Sequence, residues 1–360
     1  MQSLRIRRKR EKDKVAELSR RFNNGSTPLI MAYIGEDDPM RGDSRGAAGI
    51  AKRVAEAMGG RYVYLDKAIL KEAFPNAPDV RDCLENFLSR NGCPDIVIGI
   101  EARNVEKVAY KKPRLIFNSI NESLSEEMSL QSDLVSHHLS ADFLHREKLK
   151  FKQYYPDIKG PLIAITMGGA IYTDNLKELA SKLADVCRAY DKATLFICPS
   201  RRTGREGNEL EQFLKQNLSL RSPAEAAEYL ASTDLTELFE TAVCDRPHYN
   251  QHDVICVSFD ECQTGYNPYP GLLACADHIV VVGNSQSLVS EALYMAKNIY
   301  VHLPYYDYNT LKEKNYISNV TDLEGRKPFP TREIPLIDIT SSIAKGIVAT
   351  YNRLPRRWDY

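Results

Sequence analysis

The chain carries no excess of charge of either sign. Its 48 basic and 48 acidic residues leave a formal net charge of +0 over 360 residues. A general nucleic-acid binder is strongly basic, so that class is set aside. There is no Cys-x-x-Cys pair, and the 8 cysteines are scattered without metal-ligand spacing. Such thiols are expected to serve as small buried apolar groups in a reducing compartment, with no metal site. No run approaches the ~20 apolar residues of a membrane span. The first residues lack the apolar core of a secretory signal, and a cytoplasmic location is expected. No Asp-x-Asp occurs anywhere, a pair that often holds a divalent ion against a diphosphate. Low-complexity tracts and short repeats are also missing.

What is present is alternation. Leu29–Ile34, Tyr62–Leu65, Ile96–Gly99 and Leu115–Phe117 read as strands with helices between them, and Asp133–Ser136 reads as a last strand of this half. A second series follows, with strands at Leu162–Thr166, Thr194–Cys198, Asp253–Ser258, Ile279–Val282 and Ile299–Leu303. Helices are expected at Gly46–Met58, Asn175–Tyr190, Asn208–Asn217 and Ser341–Leu354, with one or two added helices in Ser222–Ala242. Strand–helix alternation predicts parallel sheets covered on both faces. The expected organisation is a charged extension over 1–28, a first α/β domain over 29–150, a linker containing Pro156, Gly160 and Pro161, and a second domain over 160–338. The extension clusters Arg5, Arg7, Arg8, Lys9 and Arg10 ahead of Val15, Leu18 and Phe22 at helical spacing. Peripheral contact with anionic lipid is one reading of it; a solvated surface helix is the plainer one.

The stretch Asn267–Leu303 is the most informative. Ile279–Val282 is a short apolar run that reads as a buried parallel strand. Gly283, Asn284, Ser285, Gln286 and Ser287 follow, and a helix is expected from about Ser287 to Ala296. Such a turn places backbone N–H groups and small hydroxyls at a helix N-terminus, where phosphate binds well. Ordinary helix capping explains the same residues. Glu291, one turn further on, can accept hydrogen bonds from a ribose.

Other residues add to this picture. Gly168 and Gly169 follow a strand and precede a helix, where bare backbone can approach a pyrophosphate. Arg201 and Arg202 sit after a strand, beside Ser200 and Thr203. Guanidinium forks there match phosphate oxygens and can offset charge on a departing diphosphate; the alternative is salt bridges to Glu206 or Glu209. The loop Gly35–Gly46 contains Asp38 and Asp43, either of which can act as a base. His137 and His138 follow Asp133–Ser136, and a histidine titrating near neutrality is a natural base. His248 and His252 lie four apart without a third ligand in view, so zinc is not expected there.

The segments Leu195–Glu206 and Asn267–His302 resemble the plant mitochondrial-fission family named for elongated mitochondria, which has many bacterial glycosyltransferase-like relatives. The similarity rests on Ser200-Arg201-Arg202-Thr203, Asn267-Pro268-Tyr269, Ala276-Asp277 and on Ser285, Ser287, Ser290, Glu291 and Ala292. It covers about Gly160–Leu303. Asn284 stands where the family has Asp, and Leu288 where it has Met. The Gly-His-x-Asn-Gln pattern of the family's first-domain loop is missing. The helix also resembles the donor-binding helix of the GT-B enzyme that adds N-acetylglucosamine to the peptidoglycan lipid precursor.

The resemblance implies a GT-B-like α/β fold: two Rossmann-like, doubly wound domains facing across a cleft, with the last helix, within 339–360, crossing back to the first. It implies a metal-independent glycosyltransferase with no cofactor. A nucleoside-diphosphate sugar would serve as donor, bound by Gly168, Gly169, Ser200, Asn284, Ser285, Gln286, Ser287 and Glu291. Arg201, Arg202, Asp43 and His138 are the candidate catalytic residues. The acceptor is open, lipid-linked or protein. A non-catalytic interaction protein that keeps the fold is the alternative, and a nucleotide-sugar epimerase a third.

Overall fold

The computed structural model describes residues 20, 27–35, 42–100, 102–109, 112–118, 134–169, 171, 173–219, 252–304, 308–325, 327–330 and 332–354. The basic cluster, Asp38, the helices expected in Ser222–Ala242, and His248 lie outside the described residues.

Two compact units emerge, one ending at Leu139 and regaining the chain from Asp338, the other spanning Ser140–Ile337. The first contains β1 (Leu29–Gly35), α1 (Gly42–Ala57), β2 (Arg61–Asp66), α2 (Lys67–Ala73), α3 (Val80–Asn91), β3 (Ile96–Gly99), α4 (Ala102–Val108) and β4 (Leu115–Asn118). Its strands pair in parallel in the order β2-β1-β3-β4. The period of two along β1 divides its side chains between two cores. Leu29, Met31 and Tyr33 pack with α2, α3 and α4. Ile30, Ala32 and Ile34 pack with α1 and with the C-terminal helix α12 (Ile339–Arg353). Ala344, Ile347 and Tyr351 of α12 complete that second core, and Asp338 caps the helix by accepting from Ser341 N at 2.9 Å.

Leu134–Ser136, expected as a strand, is not one. Here the chain presses against the glycine face of α1. A Cβ at Gly46 would sit 2.5 Å from Ser136 Oγ, and one at Gly49 would meet the carbonyl of His137. The His137 N–H donates to Thr340 Oγ1 at 2.9 Å, and that hydroxyl donates to the His137 carbonyl at 3.0 Å. The backbone groups of His137, which follows this segment, are thus met by a side chain of α12 rather than by a neighbouring strand.

The second unit begins with α5 (Ala141–Tyr154), so the chain changes unit ahead of the expected linker. Packing explains this. Phe151 of α5 meets the Phe196 ring at 5.4 Å, and Tyr266 donates to the Glu147 carbonyl at 3.4 Å. Then come β5 (Leu162–Gly168), α6 (Thr173–Cys187), β6 (Thr194–Pro199), α7 (Glu206–Ser219), β7 (Asp253–Cys256), α8 (Phe259–Thr264) and α9 (Tyr269–Cys275). The chain continues through β8 (His278–Gly283), α10 (Gln286–Leu293), β9 (Asn298–His302), α11 (Asn309–Glu313) and β10 (Ile317–Asn319). The short elements α9, α11 and β10 escaped the sequence reading. The sheet is all parallel, ordered β10-β9-β8-β5-β6-β7. Counted within this unit and read from β7, that is 3-2-1-4-5-6, the Rossmann order, which reverses between β5 and β8. Ile163, Ile165 and Met167 pack on α6 and α7 from one face. Among the described residues no helix is long and apolar enough to cross a membrane.

Ile347 is 1% exposed and faces the first sheet from the far end of the chain. Ile347→Ala is expected to destabilise the first unit by about 2–5 kcal/mol. Urea denaturation measures this; an unchanged midpoint would remove α12 from that core.

Candidate functional site

In open α/β sheets ligands bind outside the carboxyl ends of the strands where the strand order reverses. In the second unit that place lies between β5 and β8, which pair Met167 with Val282 and Gly168 with Gly283. The adjacent β6 ends at the same level, with Met167 opposite Pro199. Three loops therefore converge on one edge: Gly168–Gly169, Gly283–Ser287 and Pro199–Thr203.

Glycine permits this convergence. A Cβ at Gly168 would lie 2.5 Å from Ser285 Cβ, and one at Gly283 would strike the Gly168 carbonyl. Gly169 has φ +93°, a conformation that L side chains rarely adopt, and the Asn284 amide lies over it. Gly168, Gly169, Asn284 and Ser285 are thus brought together as one surface.

Helix α10 starts on that surface. The side chains of Asp66, Asp79, Ser140 and Asp338 cap α2, α3, α5 and α12. Ser285, at the corresponding position of α10, does not cap its helix. Its hydroxyl instead lies 3.2 Å from Ser287 Oγ. The ordinary capping explanation is therefore absent at this turn. Asn284 is exposed, Gln286 and Ser287 are half-buried, and Ser285 is buried. The helix ends at Leu293, short of the expected Ala296, which has φ 51°.

The Ser-Arg-Arg-Thr motif divides its labour. Thr203 Oγ1 donates to the Met167 carbonyl at 3.1 Å, and the Ser200 N–H donates to the same carbonyl at 2.9 Å. Ser200 Oγ accepts from the Arg202 N–H at 3.3 Å and lies 3.2 Å from Thr203 Oγ1. Ser200 and Thr203 thus fasten the turn to the end of β5, and Ser200 is a turn residue before it is a ligand contact. Arg201 and Arg202 stand exposed at the turn's tip. The salt bridge to Glu209, weighed for these arginines, is made by Arg205 at 2.8 Å.

Glu291 is 3% exposed and accepts a short hydrogen bond from the Tyr269 hydroxyl. Tyr269 opens α9, where Asn267 Oδ1 accepts from its N–H at 3.1 Å. This partnership was missed in the sequence, although Asn267-Pro268-Tyr269 was the signal that could have found it.

Of the first-unit candidates, Asp43 lies on α1 and His138 in the segment that packs against its Gly49. Asp43 occupies its first turn, half-buried. His138 does not titrate near neutrality: burial, then the nearby Arg45 and His137, push its pKa down to about 4. Burial also lowers His137 to about 4, opposed by Asp338 and assisted by Arg53. His252 accepts from the Ala193 N–H at 3.1 Å and so has a structural task.

The mitochondrial fission ELM1 family model matches residues 241–351. The resemblance seen in the motifs is thus met by the family itself over Asn267–Tyr269, Ala276–Asp277 and Ser285–Ala292. Gly168–Gly169 and Ser200–Thr203 lie ahead of the matched stretch. No curated protein matches the chain. Solved structures are similar at low identity, among them two that hold sugar nucleotides. UDP-GlcNAc 2-epimerase from Neisseria meningitidis bound to UDP-GlcNAc has TM-score 0.46 and 12% identity, covering 89% of this chain and 100% of that one. A trehalose-6-phosphate structure from E. coli, bound with UDP-2-fluoro glucose, has TM-score 0.36 and 10% identity, covering 91% and 96%.

The two low histidine pKa values set a pH window. The unfolded chain takes up protons as pH falls below the ordinary value of 6.5, while the folded state resists until about 4. Stability is therefore fully present above 6.5 and falls between 6.5 and about 4, by up to about 1.4 kcal/mol per pH unit for each histidine. Urea denaturation at pH 7 and pH 5 should show the loss, and His137→Gln should shrink it. An equal loss in that variant would sink the assignment.

Proposed function

We propose that the second unit binds a nucleoside-diphosphate sugar at the β5–β8 edge and that the protein is a metal-independent glycosyltransferase of the GT-B type. The observation that carries this reading is the convergence of Gly168–Gly169, the N-terminus of α10 without a side-chain cap, and an exposed arginine pair at the reversal of the sheet. Backbone N–H groups and the positive end of a helix suit a diphosphate. In this scheme Asn284, Ser285, Gln286 and Ser287 line the phosphate site, and Glu291 takes the ribose.

Transfer follows from the chemistry of the donor. An acceptor hydroxyl attacks the anomeric carbon, the bond to the diphosphate oxygen breaks, and the configuration inverts. Charge grows on the departing diphosphate, and Arg201 or Arg202 offsets it. The lack of any Asp-x-Asp in the sequence suits this arginine-based scheme. Asp43 and His138 are the candidate bases. With its pKa near 4, His138 is neutral at pH 7 and about as basic as a carboxylate.

One observation favours a second reading, a non-catalytic nucleotide-binding protein. The first-domain loop lacks the Gly-His-x-Asn-Gln pattern of the family it resembles, and burial leaves His137 and His138 weaker bases than an ordinary imidazole.

Thermal-shift measurements against uridine, guanosine and cytidine diphosphates and their sugars test binding; a ligand at 100 times its Kd should stabilise by about 2.7 kcal/mol. Turnover of the bound sugar nucleotide then separates the two readings. For the enzyme, Arg201→Ala or Arg202→Ala should lower kcat by about 10²–10³ with a smaller change in donor KM. Lysine at that position should also cost rate, because the fork is lost. Turnover abolished by a chelator, with both alanine variants still active, would overturn the arginine mechanism.

A further inference from the structure

We infer that Tyr269 is a positioning residue for nucleoside recognition: its hydroxyl orients the Glu291 carboxylate so that the pair distinguishes a ribose from a deoxyribose. The inference rests on the functional reading above and adds to it a residue and a selectivity.

Three observations lead here. First, Tyr269 opens α9, the helix that precedes β8, and Glu291 lies in α10, the helix that follows the Gly283–Ser287 turn, so the two flank the same strand in the chain. Second, the hydroxyl of Tyr269 donates to Glu291 Oε2, which fixes the plane of the carboxylate one turn below the start of α10. Tyr269 is itself fixed through Asn267, whose Oδ1 holds its N–H. Third, Glu291 is 3% exposed. Burying a carboxylate is costly. A carboxylate is nevertheless the group that best accepts from a vicinal diol, since each of its oxygens can take one hydroxyl proton.

Titration calorimetry of the full chain with uridine and guanosine diphosphates, and with their 2′-deoxy and 3′-deoxy forms, tests this. The wild type should favour a ribonucleotide by about 10- to 100-fold, the range for one hydrogen bond to a charged group. Tyr269→Phe should lose most of that preference while keeping its affinity for the deoxy forms within about twofold. That pattern separates orientation from general weakening. Should Tyr269→Phe fail to fold, 3-fluorotyrosine placed at position 269 keeps the ring and hydroxyl but changes its acidity, and must shift the preference. A folded Tyr269→Phe, or the fluorotyrosine protein, with the wild-type preference intact overturns the inference. Wild-type binding without any ribose preference overturns it while leaving the diphosphate site standing. Failure of the wild type to bind any nucleotide overturns the functional reading and this inference together.

Discussion

The close approach of two backbones at the ends of β5 and β8 is the constraint from which the rest of the candidate site follows. Gly168 and Gly283 face each other in register, and neither position has room for a Cβ. Because both strand ends are bare, the chain after β8 can turn sharply over Gly169, with the Asn284 amide resting on it. Only then does α10 begin against the end of β5, and only then does Ser285 lie close enough to crowd any side chain at Gly168. A rigid sheet thus positions three mobile-looking loop sequences with backbone precision, which is how α/β folds commonly build sites for small anionic ligands.

Motifs in this chain pair residues that fasten a turn with residues that it leaves exposed or in reach of another helix. In Ser200-Arg201-Arg202-Thr203 the hydroxyl residues at either end hold the turn to the Met167 carbonyl, and the arginines are left outward. In Asn267-Pro268-Tyr269 the asparagine fixes the start of α9 and the tyrosine reaches Glu291.

The two units use the same physics with different closures. In the first, alternate residues of β1 feed two cores, and the second core is completed by α12 from the other end of the chain. The segment Leu134–Leu139 is held by Thr340 and by the glycine face of α1, which buries His137 and His138 and lowers their pKa values. Burial of this kind serves packing and makes the histidines weaker bases. In the second unit α5 is claimed by aromatic contacts with Phe196 and by Tyr266, which fixes where the chain changes unit.

The sequence by itself determined nine of the ten described strands and their parallel pairing, because short apolar runs between helical patterns read as buried parallel strands. It also determined the glycine turn, the arginine pair and the family likeness, since each is a local string of residue types. It misjudged Leu134–Ser136 because an extended apolar stretch looks the same whether a strand or a helix face covers it. It placed the unit boundary too late because a proline- and glycine-bearing segment marks a loop, and says nothing of which core the preceding helix joins. Strand order, the meeting of Gly168 with Gly283, the burial that shifts the histidines, and the Tyr269–Glu291 contact were decided by tertiary structure alone. Each joins residues distant in sequence, and only the folded chain sets the distance between them.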